Sequence, residues 1–231
     1  MSNTYHKIGM VVAMAKELYP MLASLGQKVG VVDKDCFRAD VYRLGDREIY
    51  VCECGIGQIS ATIATQMLIS FCQVGLVINF GVAGSLNASF DIGDIVLAEG
   101  VVHTDRDLSP IDPVKPAQYA EYDSVVIPTT QSLVDIVKSI QDVPVGIVAS
   151  SEKFVADSAI KDKLVADYGV DLCDMESAGV LLTSNRNSIP VLIIKAVSDK
   201  ADDSAVMDYN NMAKIASKAY VNLITKLLEV L

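Results

Sequence analysis

The feature that most constrains this chain is a succession of short, nearly unbroken apolar runs separated by segments of helical spacing. Leu76–Phe80, Val145–Ser150 and Ile189–Ser198 hold few polar side chains. A strand with one face in water alternates polar and apolar residues, whereas a continuously apolar strand belongs to a sheet covered on both faces. Helical patterns lie between these runs, at Ile59–Cys72, Ser132–Ile140, Ile160–Tyr168 and Glu176–Thr183, and Tyr209–Leu231 closes the chain. Such alternation specifies an α/β fold. Near the start, Ile8–Met14 is followed by Leu18, Met21, Leu22 and Leu25 at helical spacing, with Gly26 as a stop. Val29–Val32, Phe37–Leu44 and Glu48–Cys54 read as consecutive strands, with a hairpin turn at Gly45-Asp46, which makes the sheet mixed. Ile95–His103 and Val170–Met175 add two more strands, and residues 104–124 form the one long irregular segment. No linker or repeat interrupts the pattern. The expectation is a single α/β domain over residues 1–231, a mixed central β-sheet flanked by helices, long enough to bury its own core.

Charge narrows the function. Nineteen Lys and Arg stand against 29 Asp and Glu, a net charge of −10, with no basic cluster. That surface repels a phosphate backbone, so no nucleic-acid partner is expected and a neutral or zwitterionic small molecule fits better. Five cysteines and only two histidines, His6 and His103, argue against a structural zinc site and for reduced thiols in a cytoplasmic protein. Met1–Lys7 is polar and lacks the layout of a signal peptide. No apolar stretch is long enough to span a bilayer, so no membrane partner is expected.

Ligands of open α/β sheets bind beyond the carboxyl ends of strands. Four places there hold polar residues. Glu17 follows the first strand, where a carboxylate also suits the first turn of a helix. Gly81-Val82-Ala83-Gly84 follows Leu76–Phe80 and lets a ligand approach the backbone, but it is not the G-x-G-x-x-G of dinucleotide sites, and Gly55-Ile56-Gly57 is a weak signal alone. Asp174-Met175-Glu176-Ser177 marks a strand-to-helix junction, where Asp174 also fits a helix cap. Lys195-Ala196-Val197-Ser198-Asp199 ends an apolar strand, and Lys195 inside that strand needs a partner. Together Glu17, Glu176 and Asp199 fall at one sheet edge, with neither metal ligands nor a nucleophile–His pair beside them. Three carboxyls of this kind suit general acid–base chemistry on a neutral substrate, as in glycoside hydrolysis.

These segments resemble, in order and over nearly the whole chain, the nucleoside phosphorylase and hydrolase superfamily, and within it the bacterial methylthioadenosine/adenosylhomocysteine nucleosidases. The resemblance rests on Ile8–Glu17, Gly55-Ile56-Gly57, Asn79–Gly84, Gly93-Asp94-Ile95-Val96, Ser150–Val155, Asp174–Ser177 and Ala196–Asp199. It implies a nucleoside phosphorylase-like fold, release of adenine by cleavage of an N-glycosidic bond, and no cofactor. It implies that Asp199, steadied by Ser198, protonates N7 of adenine and that Glu17 activates the attacking water. Glu176 would hold the ribose hydroxyls with Met175 beneath the sugar. Phe154 would stack on the purine, and the Val155 backbone would read its edge. Met14, Ile56 and Tyr209 would line the pocket for the 5′ substituent, completed in a homodimer by the neighbour's Asp105–Pro116 loop.

Two departures stand out: Val82 replaces a Ser, and Lys195 replaces an Arg near the ribose and the water. They bear on which nucleoside is bound. The superfamily's phosphorylases carry Arg in the first loop and before the glycine segment. Here Ala13–Glu17 and Asn79 supply none, so hydrolysis is expected over phosphorolysis. The alternatives are a phosphate-dependent purine nucleoside phosphorylase or a hydrolase of another nucleoside such as futalosine.

Overall fold

Strands and helices alternate as the apolar runs require. The computed structural model describes residues 5–35 and 37–231, without the side chains of residues 210–214, 216 and 217. Residues 1–4 of the polar start and Cys36, one of the five cysteines, lie outside the described residues. In chain order the first elements are β1 (Lys7–Val12), α1 (Ala15–Leu18), β2 (Gln27–Lys34), β3 (Phe37–Leu44) and β4 (Arg47–Glu53). Then come α2 (Gln58–Met67), β5 (Leu76–Ser85), β6 (Ile95–His103), β7 (Ile127–Pro128), α3 (Gln131–Ile140) and β8 (Val145–Ser150). The last are α4 (Ser158–Tyr168), β9 (Leu172–Asp174), α5 (Ser177–Arg186), β10 (Val191–Asp199) and α6 (Ala205–Val230). A 3₁₀ turn, Tyr19–Ser24, extends α1, and a wider turn, Leu68–Cys72, ends α2.

The sheet is mixed. β1 pairs in parallel with β4 and β5, and β5 pairs in parallel with β10. β2, β3 and β4 form an antiparallel meander at one side. On the other side β10 runs antiparallel to β6, β6 and β8 are parallel, as are β8 and β9, and β9 returns to the end of β5. Strands β5, β10, β6, β8 and β9 thereby close into a ring.

Alternate residues of the central strands point to opposite faces, and both faces are covered. Met10, Ile78 and Ile194 pack in one cluster with Tyr220, Leu223, Ile224 and Leu227 of α6. Val11, Val77 and Ile193 pack in another with Ala61 and Ala64 of α2 and Val180 and Leu181 of α5. This is why these runs are apolar at every position.

Most boundaries shift by a few residues from the sequence reading, and three of the shifts bear on the site. β5 does not stop at Phe80 but runs through the glycine segment to Ser85, because β10 hydrogen-bonds alongside it, pairing Lys195 with Gly81 and Asp199 with Gly84. Val170–Met175 contributes only the short β9, Leu172–Asp174. The closing helix begins at Ala205, four residues before Tyr209.

Candidate active site

The carboxyl ends of β1, β5, β9 and β10 meet the turn after β4 around a cavity of about 400 Å³. Met14, Glu17, Ile56, Val82, Phe154, Met175, Glu176, Ser198, Asp199 and Tyr209 line it. The connectivity explains the convergence: parallel strands bring successive strand ends to one side, so residues 14 and 209 meet across the whole length of the chain.

Glu17 has two structural tasks. Its Oε2 accepts from the Met14 amide at 3.0 Å, which closes the first turn of α1, and its Oε1 accepts from the Val82 amide at 2.9 Å. Burial pushes its pKa above the ordinary carboxylate value, against the lowering effect of those amides and of Lys195. A Cβ at Gly81 would stand 2.8 Å from Glu17 Oε1, so that glycine makes room for the carboxylate.

Glu176, at the head of α5, accepts from the Gly57 amide at 2.9 Å. Gly57 holds φ +105°, a conformation open to glycine, and this aims its N–H at the carboxylate. Burial, reinforced by the charge of Asp174, pushes Glu176 up to about 7.

Asp199 accepts from Ser198 Oγ at 2.8 Å and from the Ala201 amide at 2.9 Å. It does not cap α6, whose flanking residue is Ser204. Burial raises its pKa, and Asp208 and Asp202 add to the effect. A Cβ at Gly84 would lie 2.8 Å from Asp199 Oδ1. The two glycines singled out for ligand approach thus first admit two carboxyl groups.

Two residues expected at the site stand apart from this cavity. Val155 lines a small adjoining recess behind Phe154. Lys195 lies below the lining, its ammonium 2.8 Å from Asp174 Oδ2. Asp174 also accepts from the Ser177 hydroxyl and amide, so it anchors the start of α5 as well. The lining further includes Ala83, Gly84, Cys173, Asp174 and Val206. Asp174 had a sequence signal as a carboxylate at a strand mouth. Val206 had none, because it belongs to the early turn of α6.

A mixed α/β sheet with a cavity at its carboxyl edge and three buried carboxyls lining it sets the class of architecture, and the chain belongs to the phosphorylase superfamily, whose family model matches residues 7–229. An aminodeoxyfutalosine nucleosidase of Helicobacter pylori is 30% identical, over 88% of this chain and 90% of that protein. A 5′-methylthioadenosine/S-adenosylhomocysteine nucleosidase of Exiguobacterium is 28% identical, over 96% of this chain and 99% of that one. The crystal structure of a Helicobacter pylori 5′-methylthioadenosine/S-adenosylhomocysteine nucleosidase, complexed with a pyrrolopyrimidine-bearing pyrrolidinol, superposes with a TM-score of 0.93 at 26% identity. It covers 98% of this chain and 99% of that one.

Proposed function

We propose that the protein is a purine nucleosidase that hydrolyses the N-glycosidic bond of 5′-methylthioadenosine and S-adenosylhomocysteine, releasing adenine. The carrying observation is that Glu17, Glu176 and Asp199, all buried, line one cavity with no Lys, Arg or His among its described lining residues.

The chemistry follows from the charge that develops. As the C1′–N9 bond lengthens, the ribosyl ring becomes positive and the purine negative. Asp199, whose raised pKa favours its protonated form, gives its proton to N7 as the bond electrons pass to the base. Glu176 holds the ribose hydroxyls and its negative charge offsets the ring's positive charge. Water adds to C1′, and Glu17 takes the proton that the water loses. Met175 supports the sugar, Phe154 stacks on the purine, and the Val155 backbone reads the purine edge from the adjoining recess. Met14, Ile56 and Tyr209 receive the 5′ substituent, with Val82 as an apolar neighbour. Lys195 acts from below, through Asp174. No cofactor enters the scheme.

Phosphorolysis would need a cationic cradle. Lys195 is already neutralised by Asp174, and Glu17 faces the nucleophile's position with negative charge, which repels phosphate. A second reading is hydrolysis of aminodeoxyfutalosine, favoured by the relative of that name at 30% identity and by purine and ribose contacts common to both substrates.

We further propose a homodimer. The exposed face of α2 presents Ile59 and Ile63, 70% and 46% exposed, beside a groove of about 550 Å³ that also touches Asp105. A second copy would bury that face and bring its Asp105–Pro116 loop to the open 5′ end. No described helix is long and apolar enough to cross a membrane. The free thiols Cys52, Cys54, Cys72 and Cys173 support a cytoplasmic setting.

The deciding experiment is incubation with methylthioadenosine, with and without phosphate. Adenine and a free 5-methylthioribose, formed at the same rate in both, support hydrolysis. A sugar 1-phosphate formed only with phosphate overturns it.

A further inference from the structure

The end of β8 and the turn after it hold both partners of one hydrogen bond in the cavity. Glu176 accepts from the Gly57 amide, so the donor belongs to the start of α2 and the acceptor to the head of α5. Ser150 Oγ accepts from the Ala178 amide at 3.1 Å, and the Ser151 amide donates to the Asp174 carbonyl at 3.1 Å, which ties the head of α5 to β8. The next residue reaches α2: Glu152 Oε1 accepts from the Ile59 amide at 3.0 Å. Gly57, which flanks α2, has no side chain to satisfy the free N–H groups of the first turn, and Glu152 does so from 93 residues away. Its charge also suits the positive end of the helix. Glu152 packs against Gly57 as well, since a Cβ there would stand 2.5 Å from Glu152 Oε2. Gly57 is thus held between two carboxylates, Glu152 at its α-carbon and Glu176 at its amide. Asp105 fixes Glu152 in turn: its Oδ2 accepts from the Glu152 amide at 2.6 Å and from Gln58 Nε2 at 3.3 Å.

We propose that Glu152 is a positioning residue: without touching the nucleoside, it holds the Gly57 amide on Glu176 and so keeps that carboxylate aimed at the ribose hydroxyls. The inference rests on the nucleosidase reading and adds to it a residue outside the cavity wall. Glu152 lines the neighbouring groove along α2 instead. The need for such a residue lies in Gly57. At φ +105° a glycine has wide conformational freedom, so its N–H stays on Glu176 only if the turn is braced from outside. A Cβ on Gly179 would collide with the Gln58 carbonyl, so α2 and α5 abut at their first turns, and a shift of one start is felt by the other. A fixed amide keeps the Glu176 carboxylate in place before positive charge grows on the ribosyl ring, so no reorganisation is needed as the bond breaks. Without Glu152, water can take the Ile59 amide but does not hold the turn.

The test compares methylthioadenosine with its 2′-deoxy and 3′-deoxy counterparts, with adenine release as the readout. The ratio of kcat/KM for the ribosyl over each deoxy substrate reports the hold of Glu176 on the hydroxyls. Intrinsic differences in bond lability cancel between variants, and the ratio does not depend on how much of the enzyme is folded. Glu152→Ala should lower at least one of the two ratios about tenfold, the order of one charged hydrogen bond. The loss should fall mainly in kcat for methylthioadenosine, because Glu176 answers a charge that develops in the transition state. Glu152→Gln retains an acceptor for the Ile59 amide and should keep most of the ratio. Glu152 is exposed, so its removal strands no buried charge. Glu152→Met, which fills the same space without an acceptor, gives the same comparison should Glu152→Ala not fold. A lowered Tm with both ratios unaltered overturns the inference, as does a Glu152→Gln that loses as much as Glu152→Ala. Absence of adenine release from methylthioadenosine by the native enzyme removes the nucleosidase reading and this inference together. Release with ratios that Glu152→Ala leaves unmoved removes this inference only.

Discussion

Asp174 and Lys195 form an ion pair at 2.8 Å with 1% of each side chain exposed, at the floor of the cavity that holds Glu17 and Glu176. Burial alone would drive the Lys195 ammonium towards its neutral form. The combined field of Asp174, Glu176 and Glu17 outweighs that, and its pKa lies above the ordinary lysine value. The cation is thus held charged by the carboxylates it stabilises.

Removing one partner leaves a buried, uncompensated charge, which costs roughly 3–5 kcal/mol. Lys195→Met is therefore expected to lower the unfolding free energy by about that amount in urea denaturation. The double variant Lys195→Met/Asp174→Leu should recover a large part, since no charge is then stranded. A single variant as stable as the parent would show that the pair contributes nothing.

Asp199→Asn is expected to cut the rate of adenine release by roughly 10²–10⁴, the usual worth of a positioned general acid. An amide can hydrogen-bond the purine but cannot hand it a proton, so substrate binding should change little, by about 0.5–1.5 kcal/mol. The contacts with Ser198 and Ala201 are compatible with an amide, so Tm should move little. Native kcat in this variant would place the acid elsewhere.

Glu176 gives a pH signature. Its folded-state pKa, about 7, is raised above the unfolded value near 4.3. Between these values the native state holds a proton that the unfolded state has lost. Its contribution to stability is therefore full below about pH 4 and is lost as pH rises through 7. Glu176→Gln should flatten the fall of unfolding free energy between pH 5 and 7.5. In the native enzyme kcat/KM should climb through the same range as the carboxylate forms. Identical pH–stability slopes for the two proteins would contradict the shift.

Light scattering should give twice the chain mass of 24.8 kDa. Placing charge on the apolar face of α2, with Ile59→Asp and Ile63→Asp together, should yield a monomer that binds the 5′ group poorly, seen as a raised KM. A fully active native monomer would remove the dimer from the scheme.

Local sequence determined much of this protein. Unbroken apolar runs required a sheet covered on both faces, and the two side-chain clusters of alternating residues, Met10 against Val11 and Ile193 against Ile194, bear that out. Glu17, Glu176 and Asp199 were legible because a carboxylate just beyond a buried strand has few places to go except a strand-end cavity. Other features were settled only by partners distant in sequence. Gly81 and Gly84 look like a break, since glycine weakens an isolated strand, but the ladder with β10 carries β5 through them. Lys195 has its neighbours in sequence among apolar residues, and only the meeting of β10 with the end of β9 gives it Asp174 and draws it below the cavity. Cys173 and Val206 became wall residues through the same packing. Periodicity is a property of adjacent residues and survives in the sequence. Register, and the direction in which a buried polar side chain turns, depend on which distant strand supplies the compensating charge or hydrogen bond, and that is fixed when the tertiary structure closes.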